Sequence, residues 1–565
     1  MHRSAALAVA GLLMAVAPIA QAAPPPPTPL VPFSVSAQGA TTRITGVRTG
    51  NDNLLAKHTT VSPAPRKASA TTHTLTVEYL DDAGQRTADA NALVLNLTGD
   101  DGFQDVPATD GLGQLELPAG RYMLGGVVTA GDVDTVFYQP VVDLSADRRI
   151  VLDARRGQAV EQRPANSTVR SFFAEIISAH QLDNGFWGSM SLVGKDLATM
   201  RVAPVGPAAP ADQAYSWVTS QWGVPGAAGD FANTPLHYGL TDLHRGSMFD
   251  GLHRVATDGQ LAKLVSKNYQ QVSRSQAGKG FAALPPHLFE SDGMMLTTDP
   301  AGTVTSYLEP GADWYPTFVE YPGDGGLPCF LYAPGTASYQ AGRRYVAEWK
   351  KAVLGPAVDT STARTGDQVR LYTPLVVDSG GNDIQAFAAT GHSRLYRNGS
   401  LLAESESPGY INELSELPAG DAQYRFEASE DRSMFSGLSR QVDARWTFRS
   451  NTTAAEEQLP LWMVRFAPDV DRKNSVAAGS GLGIPLSLEV AEGAKVGRPA
   501  VPAVEVSGDE GKTWQPARVV RTGDRKYVAA AAVPAGAKEI SLRAKALDSA
   551  GNSVEETVIG AFTLR

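Results

Sequence analysis

Short runs in which polar and apolar residues alternate are the feature of this sequence that most constrains its fold. Thr74–Tyr79 alternates in this way, and leucine occupies the odd positions of Leu93–Leu97. The pattern returns later in the runs Tyr424–Glu427, Arg445–Phe448, Leu486–Val490 and Ser541–Ala546. A period of two buries one face of a strand and exposes the other. Because glycine (55 residues) and proline (37) punctuate the chain between these runs, the sequence predicts antiparallel sheets.

The predicted fold class is therefore mostly β, with several antiparallel β-sandwich domains of the immunoglobulin or fibronectin kind and a few short helices. The helices are predicted where apolar residues recur at spacings of three and four. Such spacing occurs in Leu261–Tyr269 and in Tyr345–Val353, and Gly355-Pro356 supplies a stop after the second.

One turn sequence recurs three times. LPAG occurs at Leu117–Gly120 and Leu417–Gly420, and VPAG occurs at Val533–Gly536. Proline presets one turn dihedral and glycine relaxes the other. We interpret the three as equivalent hairpin turns in separate β-domains, with coincidence of a common turn sequence as the alternative.

The first 70 residues have the pattern of an export leader. A short basic start, an apolar stretch and Ala20-Gln21-Ala22 predict a signal peptide over residues 1–22. The proline-rich run that follows predicts an extended leader and linker over residues 23–70. We therefore expect a secreted or periplasmic protein without a membrane span in the mature chain.

Two boundaries, one after Val151–Arg155 and one at the polar stretch Ser450–Ala454, divide the remaining chain into three predicted regions. Residues 71–156 form a first β-sandwich domain, and residues 459–565 form a C-terminal immunoglobulin-like β-sandwich. The intervening residues 157–458 are too many for one ordinary domain. They predict a large middle β region, either one sandwich with insertions or two sandwiches.

Charge and cysteine content exclude some classes of protein. A net charge of −10 over 565 residues offers no basic face for nucleic acid. The single cysteine, Cys329, excludes an intramolecular disulfide, and its apolar surroundings predict a buried small side chain rather than a nucleophile.

Ordered motifs along the chain carry a family resemblance. They include LPAGRY and VLDAR in the first region, YSWVTSQWGVPG and YQAGRRYVAEWKKAVLGPAV in the middle, and LPLWMVRFAPDVD, VEVSGDEGKTWQPARVV and SLRAKALDSAGNSVEETVIGAFTLR at the end. From about residue 71 to residue 565, the chain resembles the β-rich C-terminal extension of large secreted bacterial subtilisin-like serine peptidases. The peptidase domain itself has no counterpart here.

The resemblance implies an extension without its catalyst. The GTSMA-like and HGTH-like segments that hold the family's serine and histidine are absent. Ser247 and Ser393 are the nearest serine candidates, but neither stands in a nucleophile motif. We assign no catalytic, cofactor-binding or metal residue, and we favour an exported non-catalytic protein that acts as an accessory or binding module.

Two alternatives stay open. The first is a hydrolase with an unrecognised site in the middle region, where the dense cluster is His237, Asp242, His244, Ser247 and Asp250. The second is a helper subunit of a separately encoded secreted peptidase. The expected partners are an extracellular protein, a peptidase or a glycan, and no cofactor is expected.

Three further motifs have a structural and a chemical interpretation. Ser507–Trp514 fits the Asp-box pattern, which we interpret as a hairpin device rather than a sialidase site. His237, His244 and His253 lack the spacing of a metal site. The acidic turns at residues 99–102 and 548–552 could ligate calcium, but we favour hairpin turns.

Overall fold

The computed structural model describes residues 71–98, 102–272, 275–288, 290–321, 329–332, 336–386, 389–411, 417–477, 479 and 481–565, and the backbone of four strands between residues 31 and 59. The predicted signal peptide, the proline-rich run and the acidic turn at residues 99–101 lie outside these residues. Only the backbone of residues 329–332 is described, so the predicted burial of the Cys329 side chain is not tested by the structure.

Regular structure in the first part of the chain consists of strands. They are β1 (Val31–Ser36), β2 (Thr41–Thr42), β3 (Gly46–Arg48), β4 (Leu54–Thr59), β5 (Thr72–Leu80), β6 (Ala90–Asn96), β7 (Gln104–Pro107), β8 (Leu112–Pro118), β9 (Gly120–Ala130), β10 (Val133–Leu144), β11 (Arg148–Asp153), β12 (Gln158–Pro164), β13 (Arg170–Gln181), β14 (Trp187–Gly194), β15 (Met200–Pro204), β16 (Ala214–Gly223), β17 (Leu236–Arg245), β18 (Leu252–Ala256), β19 (Ala262–Asn268), β20 (Gln276–Leu284), β21 (Glu290–Thr298) and β22 (Thr303–Leu308).

Strands also make up the rest of the chain. They are β23 (Asp313–Tyr321), β24 (Cys329–Tyr332), β25 (Ala337–Ser338), β26 (Arg344–Trp349), β27 (Ala363–Gly366), β28 (Gln368–Val369), β29 (Leu371–Tyr372), β30 (Asp383–Ala386), β31 (Thr390–Arg397), β32 (Ser400–Ser405), β33 (Tyr410–Ile411), β34 (Ala422–Asp431), β35 (Gln441–Ser450), β36 (Thr453–Gln458), β37 (Met463–Phe466), β38 (Ser475–Val476), β39 (Leu482–Glu489), β40 (Ala503–Ser507), β41 (Gln515–Gly523), β42 (Lys526–Ala531), β43 (Glu539–Leu547) and β44 (Ser553–Leu564). Three 3-10 turns, Ala154–Arg156, Leu197–Thr199 and Asp258–Gln260, are the only helical elements among the described residues.

The strands form several sheets. In strand order these are β2-β1-β21-β20-β23-β24-β30 with β25 beside β23, β18-β12-β15-β10-β9-β6-β7, β11-β5-β8, β26-β19-β22-β17-β16-β13-β14-β4-β3, β28-β27-β36, β29-β33, and β32-β31-β34-β35-β44-β43-β40-β41-β42-β39-β37 with β38 beside β44. The protein is thus mostly β, as predicted. Not every pair is antiparallel, because β5 with β11, β10 with β15 and β19 with β26 are among the parallel pairs.

Period-two alternation in the sequence corresponds to buried strand faces. Leu75, Val77 and Tyr79 of β5 are fully buried, whereas the residues between them are partly exposed. Their cluster includes Val94 and Leu124 of the facing seven-stranded sheet, so the core of the first region lies between two sheets. Apolar burial of this kind contributes most of the favourable free energy of folding.

The two predicted helices are wrong. Residues 262–268 form β19 and residues 344–349 form β26, and the two strands pair in parallel. The physical reason is visible in β19, where Leu264, Val265 and Ser266 are all buried. A strand that is buried on both faces loses its alternation, and its apolar spacing can then imitate a helix.

The hairpin interpretation of the LPAG and VPAG turns is also wrong. Each of these turns joins two strands that do not pair with each other, namely β8 to β9, β33 to β34 and β42 to β43. The first two turns lead from one sheet to another, whereas the third connects two strands that are not neighbours in the twelve-stranded sheet. In the first turn the hydroxyl of Tyr122 donates to the carbonyl of Pro118 at 2.8 Å, which holds the start of β9 against the corner.

Sheet pairing extends across two predicted domain boundaries. The backbone of β1 and β4, from the range predicted as leader and linker, pairs with β21 and β14. Strand β35, before the boundary predicted at residue 458, pairs with β44 along seven residues. One hydrophobic cluster also runs from Tyr269 to Phe562. The predicted division into domains stays a prediction.

A row of alternating charges crosses six strands of the twelve-stranded sheet. Cross-strand partners along the row are, in order, Glu404, Arg394, Glu427, Arg445, Glu555 and Lys545. Arg445 lies 3.0 Å from Glu427 and 3.7 Å from Glu555. Opposite charges directly across a strand pair are favourable, so the row supports this strand order on the exposed face.

No helix among the described residues is long and apolar enough to cross a membrane.

Candidate binding groove

A groove near the end of the sequence is lined on one side by residues 498–501. This segment runs beside the end of β43 and the turn that follows β43. The amide of Ala500 donates to the carbonyl of Leu547 at 2.9 Å, and the amide of Ser549 donates to the carbonyl of Arg498 at 3.0 Å. The amide of Arg498 in turn donates to the Ser549 hydroxyl at 3.0 Å. These bonds fix one wall of the groove and occupy the backbone carbonyls of Leu547 and Arg498.

The turn behind this wall is organised by Asp548. One carboxylate oxygen accepts the amides of Ala550 and Asn552, each at 2.9 Å. The other accepts from Gly497 (2.8 Å), the Trp462 indole (3.1 Å) and the Asn552 side chain (2.9 Å). Burial alone would raise the pKa of Asp548, but the hydrogen bonds from Asn552 and Trp462 outweigh it and hold the pKa below the usual value.

The same turn occurs four times in the described chain. Asp81, Asp378, Asp471 and Asp548 each accept the amides two and four residues later, and the residue three positions later has a positive φ. In the fourth of these turns, the Asp548 carboxylate already accepts hydrogen bonds from five N–H groups. This favours our turn interpretation of residues 548–552, because calcium would need those oxygen atoms.

The groove has a volume of about 440 Å³ and is open to solvent. Its lining consists of Arg498, Pro499, Ala500, Val501, Arg521, Tyr527, Leu547, Asp548 and Ser549. Val501 and Leu547 are 56% and 48% exposed, so the groove presents adjoining apolar surface to water. Tyr527 is buried behind them.

The positively charged side chains of the groove are two arginines with different surroundings. The one carboxylate in the lining, Asp548, is the group that accepts the five N–H donors described above. The guanidinium of Arg498 has no hydrogen bond or ion pair to any described residue. Arg521 donates through Nε to the carbonyl of Gly523 at 3.0 Å and through Nη2 to Asp524 at 3.2 Å. The groove therefore presents N–H donors beside apolar surface, a combination suited to an anionic ligand with an apolar part.

The five residues of the hydrolase alternative do not converge on one site, although His244 and Ser247 contact each other. His237 is fully buried, and neither ring nitrogen has a hydrogen-bond partner among the described residues. Burial, with a smaller effect of Lys279, lowers its pKa to about 3. Asp242 is paired with Arg254 at 3.0 Å instead. Asp250 is exposed at a bend between β17 and β18.

Two Ser–His contacts occur in the described residues. His244 Nε2 lies 3.1 Å from Ser247 Oγ on the exposed surface, and Ser247 also donates to the carbonyl of Met248. His392 Nδ1 lies 2.9 Å from Ser429 Oγ, and Asp443 is the cross-strand partner of Ser429 rather than of His392. In neither case does an acidic side chain bind the far nitrogen of the imidazole, so no triad is assembled.

The remaining motif residues take structural positions. Ser393 is buried and donates to the carbonyl of Ser407 at 2.8 Å. His253 lies 2.6 Å from Glu161 on the surface. No group of three or more His, Cys, Asp or Glu side chains that could hold a metal ion occurs among the described residues.

The Asp-box forms the hairpin between β40 and β41. Asp509 accepts the amide of Thr513 at 2.9 Å and the hydroxyls of Thr513 (2.6 Å) and Ser507 (2.7 Å). These hydrogen bonds lower the pKa of Asp509 to about 2. Gly511 has φ +79°, and a Cβ there would lie 2.8 Å from Ile559. The motif therefore stabilises the turn of this hairpin.

Sequence reasoning missed the groove. Arg498 precedes β40, and Arg521 lies in β41, with the Asp-box hairpin between them. No local motif joins the two arginines. The one available signal was the run Arg498-Pro499-Ala500-Val501, in which an arginine is followed by apolar residues without alternation.

Comparisons with known proteins identify no family for this chain. No family model matches the chain, and no curated protein matches it. Among solved structures, it is similar to the human Desmocollin-1 ectodomain at 8% identity and a TM-score of 0.14, with 88% of this chain and 98% of that chain covered. It is similar to the Bacillus anthracis TIE protein at 10% identity and a TM-score of 0.10, with 72% of each chain covered. TM-scores this low carry no argument about the fold or the function.

Proposed function

We propose that this chain is an exported, non-catalytic, multi-domain β-sandwich protein that acts as an accessory or binding module. In this role it is similar to the extension of secreted subtilisin-like peptidases. The single observation that carries the proposal is the groove around Arg498. It is an open recognition surface with N–H donors and apolar walls, and no nucleophile–base pair lines it.

The immunoglobulin-like or fibronectin-like character of the domains is part of the proposal. It is supported by the first region, where two sheets enclose one core. It is also supported by the Tyr122 hydroxyl, which bonds back to Pro118 where the chain crosses between sheets. A tyrosine at such a corner is typical of immunoglobulin-like sandwiches.

The test of the non-catalytic role is a serine-reactive fluorophosphonate probe on the purified mature chain, together with protease and esterase substrates. We expect no stoichiometric labelling and no turnover. The matched variants are Ser247→Ala and Ser429→Ala, because these serines contact histidines. Labelling that is abolished by one of these variants would replace the binding module with the hydrolase alternative.

Export is a separate part of the proposal, because it depends on residues outside the described part of the chain. N-terminal sequencing of the protein recovered outside the cytoplasm should give Ala23 as the first residue. Recovery of the chain only from the cytoplasm, with Met1 retained, would contradict export. Capture of a separately encoded peptidase from culture supernatant would favour the helper role within the same proposal.

A further inference from the structure

We propose that the groove binds the C-terminal carboxylate of a polypeptide whose last residue has an apolar side chain. This inference rests on the proposed binding function and names the ligand of that surface. Its residues are Arg498, Arg521, Val501 and Leu547.

The polar lining is matched to a ligand that only accepts hydrogen bonds. Arg498 offers a guanidinium without a partner among the described residues, and Arg521 lies on the same groove. Several acceptors on this wall already receive hydrogen bonds. Asp548 receives five N–H donors, and the carbonyls of Arg498 and Leu547 receive the amides of Ser549 and Ala500. A guanidinium binds a carboxylate with two parallel hydrogen bonds, which makes a carboxylate the natural partner.

The apolar part of the lining selects among carboxylates. Val501 and Leu547 expose about half of their surface beside the arginines, and covering them removes apolar surface from water. A C-terminal residue carries a carboxylate and an aliphatic side chain on the same carbon, so both parts of the lining can be covered together.

Other anions fit less well. A uronic acid carries a carboxylate, but it has no aliphatic side chain to cover Val501 and Leu547. An inorganic phosphate would satisfy a guanidinium and leave the two aliphatic side chains in water. The volume of about 440 Å³ lies within the range of small-ligand pockets and holds a terminal residue with part of its neighbour.

The experiment measures binding of labelled peptides to the mature full chain by fluorescence anisotropy. The probes are acetyl-Ala-Ala-X peptides in which X is leucine, valine or phenylalanine, each as the free acid and as the C-terminal amide. We expect the free acids to bind, and the amides to bind at least about tenfold more weakly, because a charge-assisted pair is lost.

Variants assign the effect to the groove. Arg498→Ala should weaken binding of the free acid by about tenfold or more. Arg518→Ala is the matched control, since Arg518 is an exposed arginine on β41 that does not line the groove. It should leave the affinity unchanged. Thermal melting of both variants should match that of the parent chain, because neither side chain has a described partner.

Several outcomes would overturn the inference. They are equal binding of acids and amides, absence of binding by all of the acids, an equal effect of the two arginine variants, or competition by glucuronic acid or phosphate as strong as that of the unlabelled free acid. Each of these leaves the serine-probe result untouched. Labelling of a serine, in contrast, would overturn the proposed function whether or not the peptides bind.

Discussion

The side-chain amide of Asn474 donates a hydrogen bond of 3.0 Å to the backbone carbonyl of Lys350. Both residues have a positive φ, of 55° and 61°. The oxygen of the same Asn474 side chain accepts the amide of Ala352 at 2.8 Å. The region predicted as C-terminal domain is thereby attached to the middle region through a buried polar contact, not through a flexible link.

Replacing Asn474 should be costly. Asn474→Ala leaves the amide of Ala352 and the carbonyl of Lys350 buried without this partner, and it puts alanine at a positive φ. We expect a loss of about 2–4 kcal/mol in the free energy of unfolding, measured with urea. Asn398→Ala is the matched control, because Asn398 also has a positive φ (50°) but is exposed. Equal losses in the two variants would contradict the importance of burial.

The ion pair between Lys350 and Glu320 is the most buried one described. Its atoms are 2.8 Å apart and both side chains are 1% exposed. Lys350→Met should cost about 3–5 kcal/mol, because Glu320 is left as a buried charge. The double variant Lys350→Met with Glu320→Gln should recover part of that loss. Lys495→Met, which breaks an exposed pair with Glu457, should cost about 1 kcal/mol or less.

The charge row predicts that the free energy of unfolding depends on the sign of the charge at position 445. Arg445→Ala should cost about 1 kcal/mol or less, because the side chain is 55% exposed and the pair is screened by salt. Arg445→Glu should cost more, since it places like charges directly opposite Glu427 and Glu555. The difference between the two variants should shrink in high salt. A difference that is independent of salt would show that packing, not charge, dominates.

Glu556 predicts how stability changes with pH. It is fully buried, and burial raises its pKa from 4.5 to about 8. The folded state therefore holds this proton more tightly than the unfolded state. Its contribution to stability is present below about pH 4.5 and is lost as the pH rises towards 8.

Glu556→Gln removes this titration and can keep the hydrogen bond that Glu556 accepts from the amide of Val464 at 2.7 Å. Urea unfolding between pH 4.5 and pH 8 should show a shallower decline for the variant than for the parent chain. Parallel curves for the two proteins would refute a raised pKa at this position.

The sequence allowed prediction of the strands whose two faces differ in burial. Alternation located β5 and β34, where one face lies in the core and the other is partly exposed. It failed for β19, because both faces of that strand are covered and the spacing then resembles a helix. Residues 262–268 form a strand because they pair with strands that are distant in the sequence, and a local pattern contains no information about such pairing.

The groove shows a second limit of sequence reasoning. Arg498 and Arg521 line the same groove because of two non-local contacts. Strand β40 pairs with β41, and residues 498–500 form hydrogen bonds with the end of β43 and the turn after it. The hydrolase cluster shows the reverse case, because of its five neighbouring residues only His244 and Ser247 form a described hydrogen bond with each other. In β17 His237 faces the interior, whereas His244 ends on the surface.

The pairing of β35 with β44 has a consequence for any shortened form of the protein. A chain that ended at the predicted boundary, residue 458, would lose β44 and leave one side of β35 without its partner. Strand β35 is ten residues long and carries Val442, Ala444, Trp446 and Phe448 on its buried face. An open edge of this length and composition is a template for pairing with a second copy, so the truncated chain should aggregate where the intact chain does not.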